Sequence, residues 1–155
     1  GTAGGAEKCA LAMSNGYDHV IDYTSTDFEA EVMRLTDGQG VDVAYDSVGN
    51  DTMARTITST KRHGTIIAFG QSSGPYVDFK ITDLAKGSYY LSRPTLFHFA
   101  ADRAWLETAS ARLFELVSNG TVKISINQRF PLEDVAKAHE ALTGRSTTGC
   151  TILKP

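Results

Sequence analysis

The amino-acid sequence predicts an α/β fold with a Rossmann-like, doubly wound and mostly parallel sheet. Short β-prone segments alternate with helical segments over residues 1–91. The helical segments are about 10 residues long, as expected for crossovers between neighbouring parallel strands. Glycine-containing turns separate the segments, and the chain of 155 residues is 41% hydrophobic, enough to predict a sizeable core.

The first part of the chain supplies strands and helices in regular alternation. A helix is predicted over 6–13, and it ends at Asn15–Gly16 because these residue types favour the left-handed C-terminal cap. The run 24–27 (Thr-Ser-Thr-Asp) is predicted to supply N-cap oxygens for the second helix, and Asp51 is predicted to cap the third. The predicted strands are 19–23, 41–46, 64–69 and 89–91, and a loop over 70–75 follows the third of them.

The last third of the chain has a different pattern. A long amphipathic helix is predicted over 102–119, with Leu106 and Leu113 on one face and Gly120 after its end. Pro131 is expected at the start of a further helix that Gly144 terminates. Strands are predicted at 122–126 and 151–153.

Charge, hydropathy and cysteine usage exclude several classes of protein. A net charge of -3 and a pI of about 5.8 argue against nucleic acid as the main partner. The apolar stretches are far shorter than the roughly 20 residues of a membrane helix. Two widely separated cysteines indicate neither a disulfide framework nor a zinc site, so we expect a cytoplasmic protein without a bound metal. The start at Gly1 suggests an excised piece of a longer protein.

The glycines at the start of the chain allow two interpretations. Ligands of doubly wound sheets bind beyond the carboxyl ends of the strands. In the first interpretation, Gly1 to Gly5 form the phosphate-binding turn after the first strand and Asp22 binds a ribose of NAD, although G-T-A-G-G-A lacks two glycines of G-x-G-x-x-G. In the second, Gly4 and Gly5 end the second strand, and Lys8 in the first helical turn binds the additional phosphate of NADP.

Seven segments distributed over the whole chain carry a resemblance to a known family. They are GGAEK (4–8), HVIDY (19–23), GVDVAYDSVG (40–49), FGQSSG (69–74), LSRPTLF (91–97), PLEDV (131–135) and GRSTTG (144–149). In order and spacing they resemble the quinone oxidoreductases, the zinc-independent group of medium-chain dehydrogenase/reductases that includes zeta-crystallin. Cys150 departs from this pattern, because the family usually has lysine there.

The resemblance implies NADPH-dependent reduction of quinones or other conjugated carbonyls by hydride transfer. It implies that residues 1–155 are a partial NADP-binding Rossmann domain with a C-terminal extension, without the N-terminal substrate domain and the first βα unit. Isolated, such a chain would have very weak turnover or none. No catalytic side chain is implied, and Asp46 is expected to order the turn after its strand. The implied cofactor-binding residues are Gly4, Gly5, Lys8 and Tyr23 near the 2′-phosphate, Ser47 and Val48 at the next strand end, Phe69, Gly70, Gln71 and Ser72 along the nicotinamide half, and Leu96 and Arg145 closing over the cofactor.

Two further expectations concern partners. The strand near Tyr89–Leu91 is expected to lie at an edge of the sheet, and the resemblance implies a homodimer joined through it. The alternative to an enzyme is a dinucleotide-binding or structural protein without catalysis, crystallin-like or RNA-binding. The acidic pI and the lack of a stripe of basic residues argue against RNA.

Overall fold

The computed structural model describes residues 1–155, which divide into two compact units, 1–96 and 97–155. Strands and helices alternate in the first unit. The elements are β1 (Thr2–Ala3), α1 (Ala6–Ser14), β2 (Ile21–Asp22), α2 (Phe28–Leu35), β3 (Val41–Asp46), α3 (Met53–Thr58), β4 (Thr60–Ala68), a 3-10 helix (Ile81–Lys86) and β5 (Tyr90–Ser92). This alternation confirms the predicted α/β class.

Every strand pair in the first unit is parallel. β1 pairs with β2, and β3, β4 and β5 form a second sheet in that order. β5 therefore lies at an edge, as expected from the sequence. β1 and β3 each have only one strand neighbour, so the unit contains two parallel sheets instead of one continuous sheet.

The core of the first unit lies between α3 and one face of β4. Met53 and Ile57 from the helix pack with Ile66 and Ala68 from the strand, and Ile66 is completely buried. The expectation of a sizeable core is wrong, because many apolar side chains stay at the surface. On β3, for example, Tyr45 is 74% exposed.

Tertiary contacts shift two of the predicted boundaries in this unit. β4 begins at Thr60 and not at residue 64, because Thr60 pairs with Val41 ahead of an irregularity in the ladder. Asp51 does not cap α3. Thr52 occupies the cap position, and its hydroxyl donates to Asp46 Oδ2 instead of accepting from the helix. Within the predicted capping run 24–27, Asp27 is the residue that caps α2, accepting from the Glu29 N–H at 3.0 Å.

The second unit is built from helices and one pair of parallel strands. Its elements are α4 (Leu96–Ala100, beginning at the last residue of the first unit), α5 (Arg103–Ser118), β6 (Ile126–Pro131), a 3-10 helix (Leu132–Asp134), α6 (Val135–Thr143) and β7 (Cys150–Lys154). Asp102 caps α5 by accepting from the Ala104 N–H at 2.9 Å. The second unit buries one apolar residue, Ala138.

One predicted strand in the second unit is wrong at its boundaries, whereas the helix start at Pro131 is confirmed. The strand predicted at 122–126 lies at 126–131, because its ladder with β7 runs from Ile126 to Pro131. Pro131 is the last residue of this strand and also the N-cap of the 3-10 helix Leu132–Asp134, which leads directly into α6 at Val135, so it stands at a helix start as predicted. None of the helices in either unit combines the length and apolar character needed to cross a membrane.

Candidate functional site

The turn between β1 and α1 forms the first part of the candidate site. Gly5 is the N-terminal residue flanking α1, has a positive φ of 90°, and no side chain caps the helix. A Cβ on Gly4 would lie 2.7 Å from the Tyr23 hydroxyl, so glycine lets this ring approach the turn. Lys8 is half-buried in the first turn of the helix. The structure therefore brings together the four residues predicted near the 2′-phosphate.

Asp22 holds this turn in place. Its Oδ1 accepts hydrogen bonds from the Gly5 N–H at 3.0 Å, the Thr24 N–H at 3.0 Å and the Thr24 hydroxyl at 2.6 Å. The hydrogen bond from the Thr24 hydroxyl, followed by those from the Gly5 and Thr24 N–H groups, lowers the pKa of Asp22 below its ordinary value. Three hydrogen bonds from the protein to Oδ1 thus tie the Asp22 carboxylate to the turns at Gly5 and Thr24.

The strand order also bears on the two interpretations of the initial glycines. In the doubly wound order 3-2-1-4-5-6, consecutive strands 4, 5 and 6 are neighbours, whereas strand 3 pairs with strand 2. The observed orders β2-β1 and β3-β4-β5 match positions 3-2 and 4-5-6. If β1 were strand 1 of this order, β2 and β3 would be strands 2 and 3, and β3 would pair with β2. In the structure β3 pairs with β4 instead. The topology therefore favours a second-strand position for Gly4 and Gly5, where NADP enzymes need space and positive charge.

The turn after β3 forms the second part of the site, and Asp46 organises it. This buried carboxylate accepts from the Val48 and Gly49 N–H groups at 2.8 and 2.9 Å, and from the Thr52 and Thr56 hydroxyls at 2.8 and 2.7 Å. Burial raises the pKa of Asp46, but the four hydrogen bonds outweigh it, so the pKa lies below its ordinary value. Asp46 thus orders the turn, as predicted.

The loop after β4 lies directly against this turn. A Cβ on Gly70 would be 2.4 Å from the Ser47 carbonyl oxygen, so only glycine fits without displacement of the backbone. Ser72 N–H donates to the Ser47 carbonyl at 3.2 Å. The side chains of Ser47, Phe69, Gln71 and Ser72 are all exposed at this strand edge. The structure therefore assembles the residues predicted along the nicotinamide half.

Phe69 has a defined place in this arrangement. It follows the last residue of β4, and its ring is 52% exposed. Tyr45 packs edge-on against it, with ring centroids 6.5 Å apart and an angle of 71° between the planes. This contact orients a large apolar surface at the carboxyl end of the sheet, where ligands of such folds bind.

A cleft of about 290 Å³ adjoins the same loop. Gly49, Gly70 and Gln71 line it together with the apolar residues Met53 and Leu91 and with Arg93. Sequence reasoning missed Arg93, although its position just after β5, at another carboxyl strand end, could have identified it. A larger cleft of about 470 Å³ includes Ile21 and Val41, where β2 and β3 begin, and therefore lies away from the carboxyl strand ends.

The remaining two predicted residues belong to different units. Leu96 is 69% exposed at the start of α4, and Arg145 follows α6 with a left-handed φ of 57°. Their closing over a cofactor stays a prediction.

The comparison with known proteins identifies the family. The sequence profile described as zinc-binding dehydrogenase matches residues 15–153. The chain belongs to the zinc-binding dehydrogenase family. Within this family it is similar to a quinone oxidoreductase of Pseudomonas aeruginosa, with 40% identity over 156 residues that cover 100% of this chain and 48% of the relative. A 2-haloacrylate reductase of a Burkholderia species is 36% identical, with coverage of 100% and 47%.

A similar solved structure agrees with the sequence comparison. The quinone oxidoreductase of Escherichia coli, complexed with NADPH, matches with a TM-score of 0.95 and 37% identity, covering 100% of this chain and 48% of that one. These matches confirm the predicted resemblance to quinone oxidoreductases. The chain spans about half the length of the relatives it matches.

The name of the family raises the question of a metal. No group of three or more histidine, cysteine, aspartate or glutamate side chains comes together in this chain. A structural zinc site needs four such ligands and a catalytic one needs three.

Proposed function

We propose that this chain forms the NADPH-binding part of a reductase that transfers a hydride to quinones or other conjugated carbonyls. The observation that carries the proposal is the turn Gly4–Gly5 between β1 and an uncapped helix with Lys8 in its first turn; the strand order, which favours a second-strand position for this turn, supports it. An uncapped helix N-terminus presents N–H groups and partial positive charge to an anion. The related NADPH-complexed structure supports the same ligand.

In this proposal the two parts of the site bind opposite halves of the dinucleotide. Lys8 and the N-terminus of α1 bind the 2′-phosphate, and Tyr23 packs beside the adenosine. Ser47 and Val48 border the middle of the cofactor. The bound cofactor supplies the hydride, and the conjugated carbonyl accepts it together with a proton from solvent. Phe69, Gln71 and Ser72 orient the nicotinamide half by contact and hydrogen bonding.

Replacing Lys8 by alanine tests the phosphate site. We expect NADPH affinity of the 155-residue chain to fall by about 10- to 100-fold, because a charge-assisted contact contributes roughly 1.5–3 kcal/mol. NADH affinity should be unchanged, since NADH lacks the 2′-phosphate. Isothermal calorimetry with both cofactors provides the measurement.

Lys61→Ala is the matched control, because Lys61 is also half-buried but lies near the amino end of β4 and pairs with Asp42 at 3.0 Å. It should bind both cofactors like the wild type. Equal loss of NADH and NADPH binding in Lys8→Ala, or no loss of either, would contradict the phosphate assignment.

We also propose that the chain forms a homodimer through β5. This strand has one neighbour, so its outer edge presents unpaired backbone groups, and Tyr90 is 65% exposed on it.

Tyr90→Lys should shift the dimer to monomer, because a lysine on an edge strand disfavours strand addition. Light scattering after size-exclusion chromatography measures the mass. Phe114→Lys, at a residue of α5 with the same 65% exposure, should leave it unchanged. A monomeric wild type at all concentrations rejects the dimer.

A further inference from the structure

We propose that Ser73 is a positioning residue that joins the turn after β3 and the loop after β4 into one binding surface. The inference rests on the proposed NADPH site. The Ser73 hydroxyl donates to the Val48 carbonyl at 2.8 Å and accepts from the Asp51 N–H at 3.0 Å. One side chain thus bridges both ends of the segment 48–51 from the opposite loop.

The other hydrogen bonds between these two segments run from backbone to backbone. Ser73 N–H donates to the Val48 carbonyl at 2.9 Å, and Asn50 N–H donates to the Gly74 carbonyl at 3.0 Å. The Ser73 hydroxyl lies among these bonds and is half-buried with its residue. Replacing Ser73 by alanine therefore removes the side-chain hydrogen bonds and leaves the backbone donors and acceptors of the other bonds in place.

The bridge lies next to one residue assigned to the nicotinamide half, Ser72, and one assigned to the middle of the cofactor, Val48. Ser72 precedes Ser73 on one segment, and Val48 accepts the hydrogen bond on the other. The hydroxyl therefore fixes the distance between the two groups that would contact the cofactor from either side. Without it, the Asp51 N–H loses its protein acceptor and bonds to water, since Asp51 is exposed. Ser73 itself needs no contact with the ligand.

Two ligands of different length distinguish a positioning role of Ser73 from a general loss of stability in its variant. NADPH spans both halves of the proposed site, whereas adenosine 2′,5′-bisphosphate reaches only the part near Lys8. Ser73→Ala is expected to weaken NADPH binding about tenfold and to leave binding of the bisphosphate unchanged. Ser73→Thr keeps the hydroxyl and should restore the NADPH affinity. Ser14→Ala removes another hydroxyl that donates to a carbonyl at 2.8 Å, that of Leu11, and should change neither ligand.

Amide hydrogen exchange tests the bridge without any ligand. In Ser73→Ala the Asp51 N–H should exchange faster, while amides of α1 keep their wild-type rates. Unchanged exchange at Asp51 overturns the bridge. Faster exchange together with wild-type NADPH affinity, or equal weakening of both ligands, overturns the positioning role. A wild-type chain that binds neither ligand rejects the proposed function and with it this role, and the exchange result then shows whether the bridge itself exists.

Discussion

Gly49→Ala is expected to destabilise the first unit by about 2–5 kcal/mol and to abolish NADPH binding at ordinary concentrations. Gly49 is buried and has a φ of 91°, in the left-handed region that costs other residues about 1–2 kcal/mol. An added Cβ would also lie 2.5 Å from the Gly74 carbonyl oxygen. Because that neighbour is backbone, the loop after β4 has to move, at a cost of about 1–3 kcal/mol for overpacking.

Two other glycines of the same site separate these contributions. Gly74 has a φ of 101° but nothing within 4 Å of its Cβ position, so Gly74→Ala should cost only about 1–2 kcal/mol. Gly70 has an ordinary φ, but an added Cβ would lie 2.4 Å from the Ser47 carbonyl oxygen. The loss of unfolding free energy in Gly70→Ala should therefore report the cost of steric crowding without that of a left-handed φ. Urea unfolding followed by circular dichroism measures all three. An alanine at 49 that costs no more than one at 74 would show that the two segments do not approach as closely as described.

The second large effect concerns Asp46. Asp46→Ala leaves the half-buried Val48 N–H, the buried Gly49 N–H and two threonine hydroxyls without their acceptor, and we expect a loss of about 3–5 kcal/mol of unfolding free energy. Asp46→Asn keeps the shape and one acceptor oxygen, so its cost should be smaller, about 1–3 kcal/mol. Thermal and urea unfolding distinguish the two variants, with Asp42→Ala as control for an exposed carboxylate on the same strand.

The lowered pKa of Asp46 should make the free energy of unfolding depend on pH. Its folded pKa lies below the ordinary value of 3.8, so the carboxylate contributes its full stabilisation above that value. The contribution disappears as the pH falls through the folded pKa, where the folded state takes up the proton as well. The difference in unfolding free energy between wild type and Asp46→Asn should therefore be largest at neutral pH and shrink below about pH 4. A difference that is constant down to pH 2 would contradict the charged state of Asp46.

Local sequence signals predicted the elements that depend on neighbouring residues. The helix at 6–14 and its end at Asn15, the Asp27 cap and the strand at 41–46 agree with the prediction, since capping and β-propensity act within a few residues. The predicted boundaries were wrong where a strand's start is set by pairing with residues far away in the sequence. Thr60 extends β4 because it pairs with Val41, and β6 starts at Ile126 because it pairs with Cys150.

The sequence by itself determined the family, the α/β class and the residues at the carboxyl ends of the strands, because alternation, glycine turns and ordered motifs are properties of the chain alone. The tertiary structure alone decided that Asp22 is engaged by Gly5 and Thr24, and that β3 pairs with β4 and not with β2. It also revealed the Ser73 bridge and the position of Arg93. These facts depend on which backbone atoms meet across loops far apart in sequence, and the pairing of parallel strands brings those loops together.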